Sequence, residues 1–304
     1  MISVIIPTKD GGDDLSRCIQ GLTTQTIGDV EIIVVDSGSR DESIELARSH
    51  GARVLEIAPS RFRHGATRNF AAEQAKGEVL VFTTQDAVAD SKHWLERLCG
   101  PLEGDQELAG VYGRQVAHEN AAPPERFFLE FVYGPHARIQ RAQSVGDLTL
   151  NTTLFSNANS AIRRSVWERY PFSEDIFFGE DQDWARRVLL AGYALSYEPD
   201  AVVRHSHSYT LSEAFRRFFD TGVSGERGFL AGSASSSFLV RQALRYAHEE
   251  AAWLVKTGQR RWIPYTALYE LAKFAGLQMG ARHRVLPLWL KRRCSSLPDA
   301  WPGQ

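Results

Sequence analysis

The chain opens on a continuous apolar run, "ISVIIPT", and then changes period. In "DDLSRCIQGLTTQ" the apolar Leu15, Cys18, Ile19 and Leu22 recur every three or four positions, the stripe of a helix lying on a core. "VEIIVVDSGS" returns to an unbroken apolar run. The alternation goes on through "DESIELARSHG", with Asp41 as N-cap and Gly51 as C-cap, then "ARVLEIA", "GATRNFAAEQAKG" and "EVLVFTT". Runs that are apolar at every position predict strands buried on both faces, and strands separated by helices predict crossovers between parallel neighbours. The expected fold class is α/β, a doubly wound, mostly parallel sheet with a helical extension at the C-terminus.

"SKHWLERL" at 91–98 reads as a helix capped by Asp90 or Ser91. Beyond residue 104 the pattern becomes irregular: "LAGVYGRQVA" reads as a strand, "EDQDWARRVLLAGY" as a short helix ended by Gly192, and "ALSYEPDAVVRHSH" as a pair of strands. From Leu211 the pattern is helical, interrupted by "GERGFLAGSASSS" at 225–237, which reads as a flexible connection. The expected boundaries are thus 1–104, 105–210 and 211–304, the first two forming one domain.

Composition narrows the function. The 304 residues are 43% hydrophobic and 24% charged, which suits a globular fold, and a formal net charge of -2 argues against nucleic acid as a partner, whose phosphates need a basic excess. Cys18, Cys99 and Cys294 are odd in number and far apart, which suggests neither a disulfide framework nor a thiolate metal site and fits a reducing cytosol. The N-terminus carries no basic leader, and no apolar run reaches the roughly 18 residues of a membrane span. The expected location is cytoplasmic, extending to the inner face of the cell membrane.

In a parallel sheet of this kind ligands sit at the carboxyl ends of the strands. Three polar clusters fall there: "PTKDGG", "DSGSRD" with Asp36, and "TTQDA" with Gln85 and Asp86. Asp36 suits a contact to a nucleotide, although most strand-end Asp residues serve their own turn. Arg61, Arg63, His64 and Arg68 surround Gly65 at a helix start, the makings of a diphosphate site or of a solvated basic face. Glu180, Asp181 and Asp183 crowd another helix start, where dipole placement readily explains one acid and explains three less well. Crowding and burial raise a carboxyl pKa, so one of these acids becomes a better general base near neutral pH. His205 and His207 fall on one face of the last strand, either as an exposed edge or as metal ligands.

Taken in order, "VIIPT", "VVDSGSRDES", the Gln-Asp-Ala after a strand and "GEDQDW" resemble the inverting glycosyltransferases of family two, with the GT-A fold, over residues 1–210. "RHGATRN", "TTQDA", "GEDQDWARRVLLAGY" and "HSHSYTLSEAFRRFFDTGV" are similar to the bacterial rhamnosyltransferases among them. The resemblance implies a nucleotide-sugar-binding half (1–104), an acceptor-binding and catalytic half (105–210), and transfer of a sugar such as L-rhamnose from a dTDP- or UDP-linked donor to a glycan or lipid-linked acceptor. It implies that Pro7 and Thr8 line the nucleotide pocket, that Asp36 contacts the base, that Arg68 and Gln85 lie by the donor, and that Asp181 is the catalytic base. Asp86 matches the last acid of the family's Asp-X-Asp motif and would hold Mg²⁺ or Mn²⁺ with His205. Thr84 stands where that motif has its first acid, so one acid contact to metal or ribose is missing. Asn157 and Asn159 in "FSNANSA", with Glu180, read as acceptor-site residues.

A non-catalytic nucleotide-sugar or glycan-binding protein and a nucleotidyltransferase stay open as alternatives. The first loop lacks the glycine-rich, lysine-bearing form of the latter, and no G-x-G-x-x-G follows the first strand as a dinucleotide dehydrogenase needs. Between Arg241 and Arg293 cations outnumber acids and interleave with Trp253, Trp262, Tyr265, Tyr269, Phe274 and Trp289. Those helices suit either a peripheral membrane contact or a homo-oligomer surface.

Overall fold

The computed structural model describes residues 1–149, 151–225, 236–298 and 301, with side chains described outside 236–240. In chain order the main elements are β1 (Ile2–Thr8), α1 (Gly12–Thr23), β2 (Val30–Asp36), α2 (Ser43–Ser49), β3 (Arg53–Glu56), α3 (His64–Gln74), β4 (Val79–Thr83) and β5 (Val88–Ala89). They continue with α4 (Trp94–Gly104), β6 (Leu108–Val116), α5 (Pro123–Val132), β7 (Arg138–Gln140), β8 (Asn159–Arg163), α6 (Arg164–Arg169), α7 (Glu180–Leu190) and β9 (Ala194–Arg204). Four helices follow, α8 (Leu211–Gly225), α9 (Ser236–Lys256), α10 (Ile263–Ala281) and α11 (Leu288–Cys294). They divide into two compact units: Met1–Val116, Tyr133–Ile176 and Glu180–His205 make the first, and Ala117–Val132, Phe177–Gly179 and Ser206–Gln304 the second.

The first unit is a mixed α/β layer structure built on one sheet, in the order β3-β2-β1-β4-β8-β6-β9-β5, with β7 also paired to β9. β1 to β4, β6 and β9 run one way, and β5, β7 and β8 the other. The register decides what meets at the sheet edge. Thr8 pairs with Asp36 at the ends of β1 and β2, and Val116 pairs with Arg204 at the ends of β6 and β9. Antiparallel β8 begins where β4 stops, Thr83 facing Asn159. The apolar stripe of α1 is buried as its period predicts, with Leu15, Cys18, Ile19 and Leu22 in the core. Gly51 follows α2 at φ +80° and Gly192 follows α7 at φ +92°, the left-handed stop that glycine allows.

Two local expectations change. "ALSYEPDAVVRHSH" is one bent strand rather than two: the register of β9 on β6 jumps from Glu198 to Val202 because Pro199 has no N–H to give the ladder. β9 ends at Arg204, so neither His205 nor His207 is a strand residue. The N-cap of α2 is Glu42, with Asp41 one residue earlier accepting the Ser43 N–H at 3.1 Å.

In the second unit α8 and α10 pack together, and Lys273 of α10 is buried with its ammonium 2.8 Å from Glu270 and within 5.5 Å of the Phe128, Phe218, Tyr246 and Tyr269 rings. Most of the Gly/Ser-rich stretch read as a flexible connection, 226–235, lies outside the described residues.

Candidate active site

The loops after β1, β2 and β4 are tied to one another. The Gln85 side-chain amide donates to the Lys9 carbonyl at 3.2 Å and accepts the Lys9 N–H at 2.9 Å. Asp10 N–H donates to Ser39 Oγ at 2.8 Å, and Asp10 Oδ1 accepts the Arg40 N–H at 2.7 Å. Asp36 is buried and holds its own loop: Oδ1 accepts the Gly38 and Ser39 N–H groups at 2.8 and 3.0 Å, and Oδ2 accepts the Ser39 hydroxyl. Ser37 N–H closes on the Thr8 carbonyl at 2.9 Å. The loops thus converge, with Gln85 and Asp36 fastening backbone to backbone.

At the start of α7 two acids stand side by side in different chemical states. Glu180 is buried, and its Oε1 accepts Arg68 Nη1 at 2.9 Å and Asn157 Nδ2 at 3.3 Å. Burial alone would raise the Glu180 pKa, but the Arg68 guanidinium and then His64 hold it below the usual carboxylate value. Asp181 has no such cation in contact. Its Oδ2 accepts the Asn157 backbone N–H at 3.1 Å and its Oδ1 that of Gln182 at 2.8 Å. Burial first, and then the Glu180 charge, push the Asp181 carboxyl up to about 7. Asn157 therefore positions both acids, one with its backbone and one with its side chain. Asp183 stands apart from the pair, on Ser173 Oγ at 2.6 Å and Arg187 Nε at 2.8 Å.

Asp86 lies in the turn after β4, and its Oδ1 is 3.5 Å from His205 Nε2. The other ring nitrogen, Nδ1, is 2.8 Å from Gln115 Oε1 at the end of β6. The Gln115 amide nitrogen donates to Tyr133 Oη at 2.6 Å and Ser156 Oγ at 2.9 Å, so its oxygen is the end that faces the histidine and accepts. His205 is thereby set as the tautomer with its proton on Nδ1, and Nε2 is directed at Asp86. A carboxylate oxygen and an imidazole nitrogen this close suit a shared cation, since donors each about 2.1 Å from one ion lie about 3–4 Å apart.

The sheet edge of the first unit thus gathers Pro7, Thr8, Asp36, Gln85, Asp86, Asn157, Glu180, Asp181 and His205, all within that unit. His207 belongs to the second unit. Asn159 is elsewhere: it is fully buried, accepting from Trp94 Nε1 at 2.9 Å and donating to the Ala201 and Arg114 carbonyls at 2.8 and 3.1 Å, so its amide fills the bend of β9. Arg68 is buried on Glu180 rather than set at a surface. Gly65 has its reason in packing, because a Cβ there would meet the Ser173 carbonyl oxygen at 2.2 Å. Gln115, Tyr133 and Ser156 were not read from the sequence. Only the pairing of β6 with β9 brings Gln115 to His205, and Tyr133 and Ser156 join through Gln115.

The family model for glycosyl transferase family 2 matches residues 3–170, more than half of the chain. The chain belongs to that family. It is 34% identical over 308 residues to the O-antigen chain rhamnosyltransferase WbaN of Salmonella anatum, covering 98% of this chain and 95% of that one. It is also 34% identical over 309 residues to the O-antigen chain rhamnosyltransferase RfbN of Salmonella typhimurium, covering 99% and 96%. Among solved structures, the mannosyltransferase PcManGT of Pyrobaculum calidifontis, in complex with GDP-Man and Mn²⁺, superposes with a TM-score of 0.62 at 18% identity, over 91% of this chain and 86% of that one. The glucosyl-3-phosphoglycerate synthase of Mycobacterium tuberculosis, with Mn²⁺, UDP-glucose and phosphoglyceric acid, gives 0.54 at 20% identity, over 78% and 81%. The family-2 chain is a glycosyltransferase with the GT-A fold. Among its described residues no helix is long and apolar enough to cross a membrane.

Proposed function

We propose that the chain is an inverting rhamnosyltransferase of bacterial surface-polysaccharide synthesis, moving L-rhamnose from a dTDP- or UDP-linked donor to a hydroxyl of a glycan acceptor. The likeness to the two O-antigen chain rhamnosyltransferases supports the sugar and the acceptor class. The observation that carries the mechanism is Asp181, a carboxyl raised to about 7 on the same sheet edge as Asp86 and His205. A carboxylate of that basicity accepts a hydroxyl proton at neutral pH far better than one near 4. The acceptor oxygen bonds to the anomeric carbon as its proton passes to Asp181. The bond from that carbon to the diphosphate oxygen breaks, and the bonding pair leaves with the nucleoside diphosphate. One displacement inverts the centre.

The remaining residues set up that step. Pro7, Thr8 and the loop held by Asp36 receive the nucleotide. Gln85 keeps the first and fourth strand loops together around it. Glu180 and Asn157 act on the acceptor through Asp181, whose charge and position they govern. The oxygen and nitrogen donors of Asp86 and His205 fit Mg²⁺ or Mn²⁺, the nitrogen favouring Mn²⁺. When bound, such an ion supplies positive charge against the departing diphosphate.

The proposal extends to where a lipid-linked acceptor is met. Val285 and Trp289 are 83% and 66% exposed, in a stretch that carries Arg282, Arg284, Lys291, Arg292 and Arg293 and no acid. That mixture suits the headgroup layer of an anionic membrane. Lys273 and Tyr269, on the preceding helix α10, are buried and take no part in it.

To test the chemistry, dTDP-rhamnose, UDP-rhamnose and UDP-glucose are offered to the full chain with a glycan acceptor and Mg²⁺ or Mn²⁺, and the product's anomeric configuration is read by NMR. Transfer from a rhamnose donor with inversion, lost with excess chelator and with Asp86→Ala, is the expected outcome. Retained configuration, or full activity in chelator, overturns the mechanism.

A further inference from the structure

The second unit contains a shallow, open groove of about 550 Å³ that none of the roles above uses. It is lined by the rings of Tyr209, Trp262 and Tyr265 and by Ala122, Ser208, Thr210 and Arg261. The three rings are half-buried and the three polar residues exposed. From these we infer that the groove is a saccharide-binding subsite, taking a sugar ring of the glycan acceptor.

The chemistry favours a sugar over other occupants. A pyranose presents an apolar C–H face and a rim of hydroxyls, so it needs a flat aromatic wall beside directional hydrogen-bonding groups. Trp262 and Tyr265 supply the wall. Their rings meet edge to face at 5.5 Å and 87°, and Tyr265 is stacked on Tyr269 at 6.1 Å, so both are braced before a ligand arrives. Tyr265 Oη lies 3.5 Å from the Tyr209 carbonyl, which ties the two lining segments together. Rigid Tyr and Trp side chains of this kind give contact area at low entropic cost. The Arg261 guanidinium and the Ser208 hydroxyl supply donors for the sugar oxygens. No carboxylate is among the lining residues, so a neutral or acidic sugar suits the groove and a cation does not. The assignment of the ring to an acceptor rests on the transferase reading above; the binding of a sugar does not.

The experiment separates the two. Saturation-transfer NMR with the full chain uses the methyl glycosides of rhamnose, mannose and galactose as probes, and compares wild type with Trp262→Ala and with the exposed-site variant Arg261→Ala. At least one glycoside should receive saturation from wild type. It should bind at least tenfold more weakly to Trp262→Ala and severalfold more weakly to Arg261→Ala, whose surface position leaves the fold intact. UDP and dTDP affinity, and hydrolysis of the donor without acceptor, should match wild type in both variants, while the KM for a glycan acceptor rises at least tenfold in Trp262→Ala. Equal glycoside binding by wild type and both variants, or no binding by wild type, overturns the inference. So does loss of nucleotide affinity in Arg261→Ala, which would make the groove a nucleotide site. If glycosides bind as expected but no donor is consumed, the groove stands as a sugar site and the transferase reading fails.

Discussion

Asp181 is held as an acid that changes charge close to neutral pH, and this governs both its use and its burden on the fold. A base must be unprotonated, so kcat should fall as pH drops through about 7, approaching tenfold per unit below it. Asp181→Asn should lose transfer by at least a thousandfold, on the order of magnitude seen for removal of a catalytic base, and keep donor affinity. The same shift has a stability side. The folded-state pKa lies above the unfolded one, so the folded chain binds the proton more tightly, and stability is lost as pH rises from about 4 toward 7. Asp181→Asn should therefore raise Tm at pH 8, by roughly 2–4 °C if about 1 kcal/mol is recovered, and change it little at pH 4, as calorimetry can show. Gln115 acts one step back from His205. Gln115→Leu removes the acceptor for His205 Nδ1 and should weaken Mn²⁺ binding by about 10–100-fold in an EPR titration, while Gln115→Glu, which keeps an accepting oxygen there, should retain most of it. An unchanged Kd in Gln115→Leu would count against the orienting role.

Among the elements, the parallel half of the sheet was legible because β1, β2 and β4 are apolar at nearly every position and alternate with helices whose stripes have the right period. β5, β7 and β8 were not, because two or three paired residues, or a mixed run such as "NSAIR", carry no period of their own; pairing with β9 or β4 makes them strands. The start of α3 shows the opposite failure. Gly65 beside Arg63, His64 and Arg68 reads like an anion site, yet the residue that needs the missing Cβ is Ser173. Gly65→Ala should destabilise the chain by about 1–3 kcal/mol in urea denaturation, because a backbone carbonyl cannot swing aside as a side chain can. Donor affinity of the folded protein should change little. Loss of affinity at full stability would restore the anion reading.

For the molecule as a whole, a net charge of -2 conceals a basic, apolar stretch between Arg282 and Arg293. Liposomes containing anionic lipid should co-sediment the full chain at low salt and release it at high salt, and Val285→Ser with Trp289→Ser should weaken the binding without changing Tm; equal binding by the double variant would remove the stretch from consideration. Hydropathy period, the order of strands and helices, and the carboxylates at strand ends and helix starts are local properties, so the sequence by itself determined the layered α/β class and offered Asp86 and Asp181 as candidates at the ends of its elements. Charge state and hydrogen-bond direction are not local. Glu180 and Asp181 are neighbours with the same functional group, and only folding set the Arg68 guanidinium on one and left burial and its neighbour's charge to raise the other. Asn159 looks as available as Asn157 in "FSNANSA", and only the bend of β9 consumed it. Gln115 came to His205 because two strands distant in the chain ended in register. Tertiary structure decided these because a pKa and a tautomer depend on what lies within a few ångströms through space, which sequence distance does not measure.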